Sequence, residues 1–268
     1  MKRAAYAIGF AFAASSAFAV VGVNTGPGSS DSTYLWVGQC SGASCVAISS
    51  HWAITAHHVG GSSVLINGVT YNADRTYGDP HGDIWLMHFP TAFPGYYPLY
   101  SGNPLGKTVT LVGFGDTGSL RGDGLGYNDL GFGGTRRTAT NVVGLKQVLS
   151  YNGWDTPEII ADLDPPVGNS FSSPYNRDWF GDGGATPDEG SLMAGDSGGA
   201  WLINDGGKIY IAGVSNYVVN DDGFSDPNPL WAFGISGCSA ADLTAPVVRQ
   251  WINNTMLGSP LPSPTVHH

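Results

Sequence analysis

Three short segments place a serine, a histidine and an aspartate where they could act together. In Gly195-Asp196-Ser197-Gly198-Gly199-Ala200 a serine sits among small residues, immediately before the apolar run Trp201-Leu202-Ile203. A nucleophilic hydroxyl must be exposed on a tight turn, with backbone N–H groups nearby to receive an oxyanion. Gly195, lacking a side chain, lets the backbone face a reacting carbonyl. Taken alone, Asp-Ser-Gly-Gly also fits an ordinary β-turn. The segment Trp52-Ala53-Ile54-Thr55-Ala56-His57-His58-Val59 reads as a strand running into a loop with histidine at its end. Asp83-Ile84-Trp85-Leu86-Met87 opens an apolar strand with a carboxylate, which would therefore be buried. Serine is a weak nucleophile near neutral pH. A neutral imidazole must take its proton, and a buried carboxylate must orient that imidazole and stabilise its charged form. The chain order His, Asp, Ser supplies those parts.

Competing chemistry is poorer. His57, His58, His81 and Asp83 contain metal-ligating types, but there is no His-Glu-x-x-His pattern and the imidazoles are not at helical spacing, so no metal is expected. Asn220-Asp221-Asp222-Gly223-Phe224-Ser225-Asp226 lacks the regular alternation and final Glu of a calcium loop and reads as a solvated hairpin loop. Residues 115–135, with Arg121, Asp123 and Asp129, match no phosphate or calcium motif and read as a Gly-rich connection. Asp79 competes with Asp83, but Pro80 and Gly82 set it in a turn where its charge would be solvated.

The elements that must position these residues are short. Apolar runs at 34–37, 45–48, 63–66, 83–87, 109–112, 158–161, 199–203 and 209–215 alternate with Gly, Asn, Asp and Pro, the pattern of a sandwich or barrels. One helix is expected near the end. Thr244 is its cap, Pro246 suits its first turn, and Val247, Val248, Trp251, Ile252 and Met256 recur at three- and four-residue intervals. With 40 Gly and 17 Pro among 268 residues, long uninterrupted helices are excluded. A 42% hydrophobic share excludes a disordered chain, and Gly without a three-residue period excludes collagen. Eleven Lys and Arg against 21 Asp and Glu leave a net charge of −10, which argues against nucleic acid and anionic membranes as partners.

Met1-Lys2-Arg3, an apolar stretch from Ala4 to Phe18, and Ala17-Phe18-Ala19 have the order of an export signal cleaved after Ala19. The expected product is secreted or periplasmic, with no membrane attachment after cleavage. Cys40 and Cys45, flanked by Gly38, Ser41 and Gly42, are spaced for a hairpin disulfide; Cys238 is left as a packed or semi-exposed thiol.

At Trp52–Val59, Asp83–Met87, Gly195–Ala200 and, more weakly, Gly213-Val214-Ser215, the chain resembles the chymotrypsin/trypsin-like serine proteases, with short secreted bacterial members the nearest in character. The resemblance implies an all-β fold of two antiparallel six-stranded β-barrels, the active site in the cleft between them, and a C-terminal α-helix. It divides the chain into residues 20–118 (first barrel, with His and Asp), 119–243 (second barrel, with Ser), a helix at 244–256 and a flexible tail at 257–268. It implies an endopeptidase with His58 as general base, Asp83 as its orienting acid and Ser197 as nucleophile, and the N–H groups of Gly195 and Ser197 as oxyanion hole. His57 stands where the family has a small residue, and Val59 replaces the family's usual Cys, leaving Cys45 free to pair with Cys40. Ser191 falls at the base of the specificity pocket, where serine cannot select Lys or Arg, so an apolar or small residue is expected before the scissile bond. Glu189 is a solvated loop residue in this reading, Tyr217 narrows the pocket entrance, and Ser215 hydrogen-bonds Asp83. Cleavage before Val20 would free an ammonium to pair with Asp196, making export itself the activating step. Protein or peptide substrates, no cofactor and a monomer follow. An inactive homologue serving as a secreted binding module is the alternative.

Overall fold

Short β-branched and aromatic runs between turn residues pair readily but leave each strand only one face to bury, so the chain stacks sheets rather than helices. A computed structural model describes residues 20–22, 32–131, 133–151 and 153–258. The expected export segment and the Pro-rich tail after Gly258 lie outside the described residues.

Two curled antiparallel sheets of seven strands each carry most of the fold. The first comprises β2 (Val37–Cys40), β3 (Ala43–Ser49), β4 (Trp52–Thr55), β5 (Ser63–Ile66), β6 (Val69–Asn72), β7 (Arg75–Gly78) and β8 (Trp85–His88), in the order β6-β5-β2-β3-β4-β8-β7. The second comprises β9 (Thr108–Gly113), β12 (Arg137–Val142), β13 (Leu145–Tyr151), β14 (Trp154–Asp162), β16 (Ala200–Asp205), β17 (Lys208–Asn220) and β18 (Ser236–Asp242), in the order β12-β9-β16-β17-β18-β14-β13. Two small pairs complete the set: β1 (Val21–Gly22) with β15 (Gly190–Ser191), and β10 (Thr117–Leu120) with β11 (Tyr127–Gly131).

Seven strands per sheet replace the expected six. The additions include β6 and β7, whose residues are mostly exposed or half-buried and so lack an apolar signature. The change of sheet falls between β8 and β9 rather than at residue 118, because β9 pairs with β12 and β16. Residues 115–135, expected as a plain connection, contain the β10–β11 hairpin. Tyr34 belongs to a 3-10 turn at Ser32–Tyr34, and the strand expected from it starts only at Val37.

The C-terminal helix α1 spans Pro246–Leu257, with Pro at its start and Gly258 in the left-handed conformation at its end. Ala245 rather than Thr244 occupies the cap; the Thr244 hydroxyl donates to Asp242 Oδ1 at 2.5 Å. Val248, Trp251 and Ile252 of α1 join Val46, Ile54 and Leu86 of the first sheet and Val112, Leu202 and Val214 of the second in one buried cluster. That shared core fixes the sheets relative to each other. No helix among the described residues is long and apolar enough to cross a membrane.

The bridge expected between Cys40 and Cys45 is not formed in this structure, where both are free, buried thiols. Cys40 pairs across the hairpin with Ala43, and Cys45 with Gly38, so the two sit diagonally rather than face to face. Cys40 Sγ donates to the Ser44 carbonyl at 3.3 Å, and burial together with Cys40 pushes the Cys45 thiol up. Cys238 is wholly buried, its thiol pushed up to about 12 by burial.

Truncating the helix where it meets both sheets should be costly. Ile252→Ala is expected to lower stability by about 2–5 kcal/mol, whereas Val247→Ala, on the exposed face, should change it by no more than about 0.5 kcal/mol. Urea unfolding midpoints of the two variants test this.

Candidate active site

Register brings the histidine and the aspartate together. Thr55, the last residue of β4, pairs with Trp85, the first of β8. The residues leaving β4 and those entering β8 therefore emerge side by side. A tight turn follows β4, with the N–H groups of Val59 and Gly60 both donating to the Ala56 carbonyl. His58 is left with its backbone N–H 2.8 Å from Asp83 Oδ1 and its Nδ1 2.6 Å from Oδ2.

Asp83 has no exposure to water. Burial alone would raise its pKa, but the His58 side chain, the Tyr217 hydroxyl and the His58 N–H outweigh that and hold the carboxyl below its ordinary range. An ionised carboxylate only accepts, so the Nδ1 facing it carries the proton and Nε2 presents a lone pair. That Nε2 lies 2.9 Å from Ser197 Oγ. The three side chains thus form one hydrogen-bonded relay from hydroxyl to imidazole to carboxylate, able to withdraw the serine proton during nucleophilic attack.

Ser197 rides the loop between β15 and β16, and the first sheet grips that loop. Ser44 on β3 donates its N–H to the Ser197 carbonyl at 3.0 Å and its hydroxyl to the Gly195 carbonyl at 3.2 Å. Its hydroxyl in turn accepts the Phe114 N–H at 3.0 Å. Gly198 has a φ of +81° and packs so closely that a methyl group would overlap Thr55 Oγ1 and the Ser44 carbonyl. The Gly195 and Ser197 N–H groups donate to no acceptor among the described residues. They are the donors named from the sequence for an oxyanion.

Other expected residues fall differently. Ser215 does not reach Asp83, and its buried hydroxyl has no hydrogen-bond partner among the described residues. The strand slips register between Ser215 and Tyr217, and this bulge brings Tyr217 to Asp83 instead, with its hydroxyl 2.5 Å from Oδ2. Tyr217 therefore supports the acid rather than merely narrowing an entrance; its ring also stacks on His58 at 5.7 Å. Ser191 is fully buried on β15, opposite Val21. Glu189, expected in solvent, is buried, and its Oε2 accepts from the Thr186 N–H and hydroxyl at 2.9 and 2.7 Å. Asp79 is buried too, but it turns to the His81 N–H at 2.9 Å rather than to His58. The ring of His57 stacks on Trp154 at 4.6 Å and leans on Trp85 at 5.2 Å, away from the relay.

Val20 and Asp196 do meet. Val20 is buried and its backbone N–H donates to Asp196, which also accepts from the Met193 N–H at 2.9 Å and the Gly115 N–H at 3.3 Å. Burial nevertheless drives the Asp196 carboxyl well above its ordinary value.

Three contributors escaped sequence reasoning. Ser44 has no motif around it. Thr156, on β14, accepts the Asp83 N–H at 2.9 Å across the sheet boundary. Glu158 is buried beside Asn216, whose side-chain amide reaches it at 2.7 Å. Burial first, and the nearby Asp83 charge with it, pushes the Glu158 carboxyl well above its ordinary value despite the Asn216 contact. Its one legible signal was a charged residue inside the apolar run at 158–161.

Tyr217 offers a test by pH. Stability from Asp83 ionisation is fully present above the usual value of 3.8 and is lost as pH falls through the lower folded-state value. Tyr217→Phe reduces that depression, so the variant should be less stable at pH 7 by about 1.5–3 kcal/mol. Its stability curve should converge on the wild-type curve as pH falls below 3.8, which thermal unfolding across that range measures. Among known proteins, no family model matches this chain and no curated protein does.

Proposed function

We propose that this protein is a secreted serine endopeptidase of the chymotrypsin/trypsin-like kind, with its two sheets acting as two barrels and the site in the cleft between them. The observation that carries this reading is the relay itself. Ser197 Oγ lies 2.9 Å from His58 Nε2 and His58 Nδ1 lies 2.6 Å from Asp83, although the serine and histidine are 139 residues apart in the chain.

In this mechanism Ser197 Oγ attacks the peptide carbonyl as its proton passes to His58 Nε2. Asp83 holds the imidazole in the required tautomer and stabilises the imidazolium. The N–H groups of Gly195 and Ser197 receive the developing oxyanion. His58 then protonates the leaving amine, and a water, activated by the same imidazole, hydrolyses the acyl-enzyme. Glu189 is held by Thr186 and Ser191 carries no charge, so neither of these two residues favours a basic residue before the scissile bond. Apolar or small residues are the preferred class.

Intact mass spectrometry after treatment with a fluorophosphonate tests the reading. A single adduct is expected, absent from Ser197→Ala. Asp83→Asn should lower kcat about 10⁴-fold, measured on peptides with Ala, Leu or Phe before the scissile bond, which should be cleaved in preference to Arg peptides. A folded protein that takes no adduct would instead be the inactive homologue, a binding module.

Activation follows from Asp196. Asp196 is held by backbone N–H groups and forms no ion pair among the described residues, although Arg137 acts on it from further away. Cleavage after Ala19 would turn the Val20 amide already at Asp196 into an ammonium. While Val20 remains an amide, the raised folded-state pKa makes stability fall as pH rises above the usual 3.8, because the folded state keeps a proton that the unfolded chain releases. The form beginning at Val20 should lose that decline and gain activity. Thermal midpoints and peptidase rates of the two forms, compared across pH, check both; equal activity in the extended form would sink the activation step.

A further inference from the structure

The segment between β14 and β15 contains chemistry that the relay does not use. β14 ends at Asp162, Asp164 follows two residues later, and Asp178-Trp179-Phe180-Gly181-Asp182 returns to the same place. One carboxylate oxygen from each of the four aspartates lies within 4.8 Å of all the others. Asp162 and Asp164 are 0% and 2% exposed, yet one oxygen of each accepts no hydrogen bond among the described residues.

We propose that Asp162, Asp164, Asp178 and Asp182 bind a divalent cation of the calcium class, tying the end of β14 to the connection that leads into β15.

The arrangement is built rather than incidental. Asp162 Oδ2 accepts the Trp179 and Phe180 N–H groups at 2.6 and 3.0 Å, leaving Oδ1 buried without a hydrogen-bond partner among the described residues. Asp178 is fixed by the Gly181, Asp182 and Gly183 N–H groups at 2.5, 3.1 and 3.1 Å, and its exposure provides an entry path. No Lys, Arg or His forms an ion pair with any of the four among the described residues. Four carboxylates gathered this closely repel one another when ionised, and no cationic side chain among the described residues offsets that repulsion. A bound cation removes that conflict.

Ligand type and spacing select the ion. All four donors are carboxylate oxygens, with no His or Cys, which favours a hard cation. Oxygens around one calcium, at about 2.3–2.6 Å from it, lie at most about 5 Å apart, whereas those around magnesium, at about 2.0–2.1 Å, lie at most about 4.2 Å apart. The four oxygens all lie within 4.8 Å of one another, which a calcium sphere accommodates, and a set of four protein carboxylates suits calcium better than magnesium, which usually takes only one or two carboxylates and keeps its waters. The acidic segment 220–226, by contrast, already gives Asp221 to Arg177 and Asp226 to Arg121.

Trp179, whose backbone N–H holds Asp162, makes the site observable. The chelator-stripped protein is titrated with TbCl3 under tryptophan excitation, and then with CaCl2. The expected result is saturable 1:1 sensitised emission that CaCl2 displaces. The thermal midpoint should rise with CaCl2 and not with equal MgCl2. Asp164→Asn and Asp182→Asn should each weaken terbium binding at least about 100-fold, since even groups that only support a ligand are worth about 10–100-fold. Trp179→Phe should lose most of the emission and keep the calcium-induced thermal shift. The wild-type titration decides the matter even where an aspartate variant does not fold. No saturable emission and no calcium shift at concentrations well above about 10⁻³ M, the weak end for extracellular calcium modules, would overturn the proposal. So would unchanged affinity in both folded aspartate variants, or an equal response to magnesium.

Discussion

A carboxylate with no contact with water is the constraint from which this site is built. Asp83 can stay ionised only if hydrogen bonds replace the solvent it has lost. Two come from His58, its neighbour in the first sheet, and one from Tyr217 in the second. Thr156, also from the second sheet, takes up the Asp83 N–H. Neither sheet alone satisfies this residue. The geometry of the relay is therefore conditional on the docking of the two sheets, which is why the apolar cluster under α1, drawn from both, bears on chemistry as well as on stability.

The serine is held by the same logic in reverse. Its loop belongs to the second sheet, while Ser44 of the first fastens the carbonyls on either side of Asp196. With those carbonyls turned toward Ser44, the Gly195 and Ser197 N–H groups are left without protein acceptors. In the proposed mechanism such donors need no rearrangement when negative charge develops beside them. The glycine at 198 follows from this close approach: the first sheet comes so near that any side chain would strike Thr55 or Ser44.

Buried acid recurs through the second half of the molecule. Glu158, Asp196 and Glu189 each lie in surroundings that raise their pKa, and each is resolved in its own way. Glu158 is held by Asn216, Glu189 by Thr186, and Asp196 by three backbone N–H groups, one of them from Val20. The four aspartates gathered at the end of β14 form the group proposed to hold a cation. Part of the acidic excess behind the net charge of −10 is thus folded inward rather than spread over the surface.

What the sequence determined by itself was local. The nature of the strands and the helix, and the identity of His58, Asp83 and Ser197 as chemically poised residues, were legible because short-range pattern carries them: an apolar strand must bury an acid at its mouth, and glycines around a serine must make a turn. The strand count was not legible, since β6 and β7 are held by pairing and not by burying apolar faces. Tertiary structure alone decided the partners. Asp83 is reached by Tyr217 rather than Ser215 because a one-residue bulge in β17 exchanges the faces of the strand, and a bulge leaves no mark in composition. Ser44 and Thr156 act from segments with no motif, and Asp162 meets Asp182 only because a long connection folds back on β14. Side-chain chemistry is a property of the residue; a hydrogen-bond partner far along the chain is a property of packing, which only the folded molecule has.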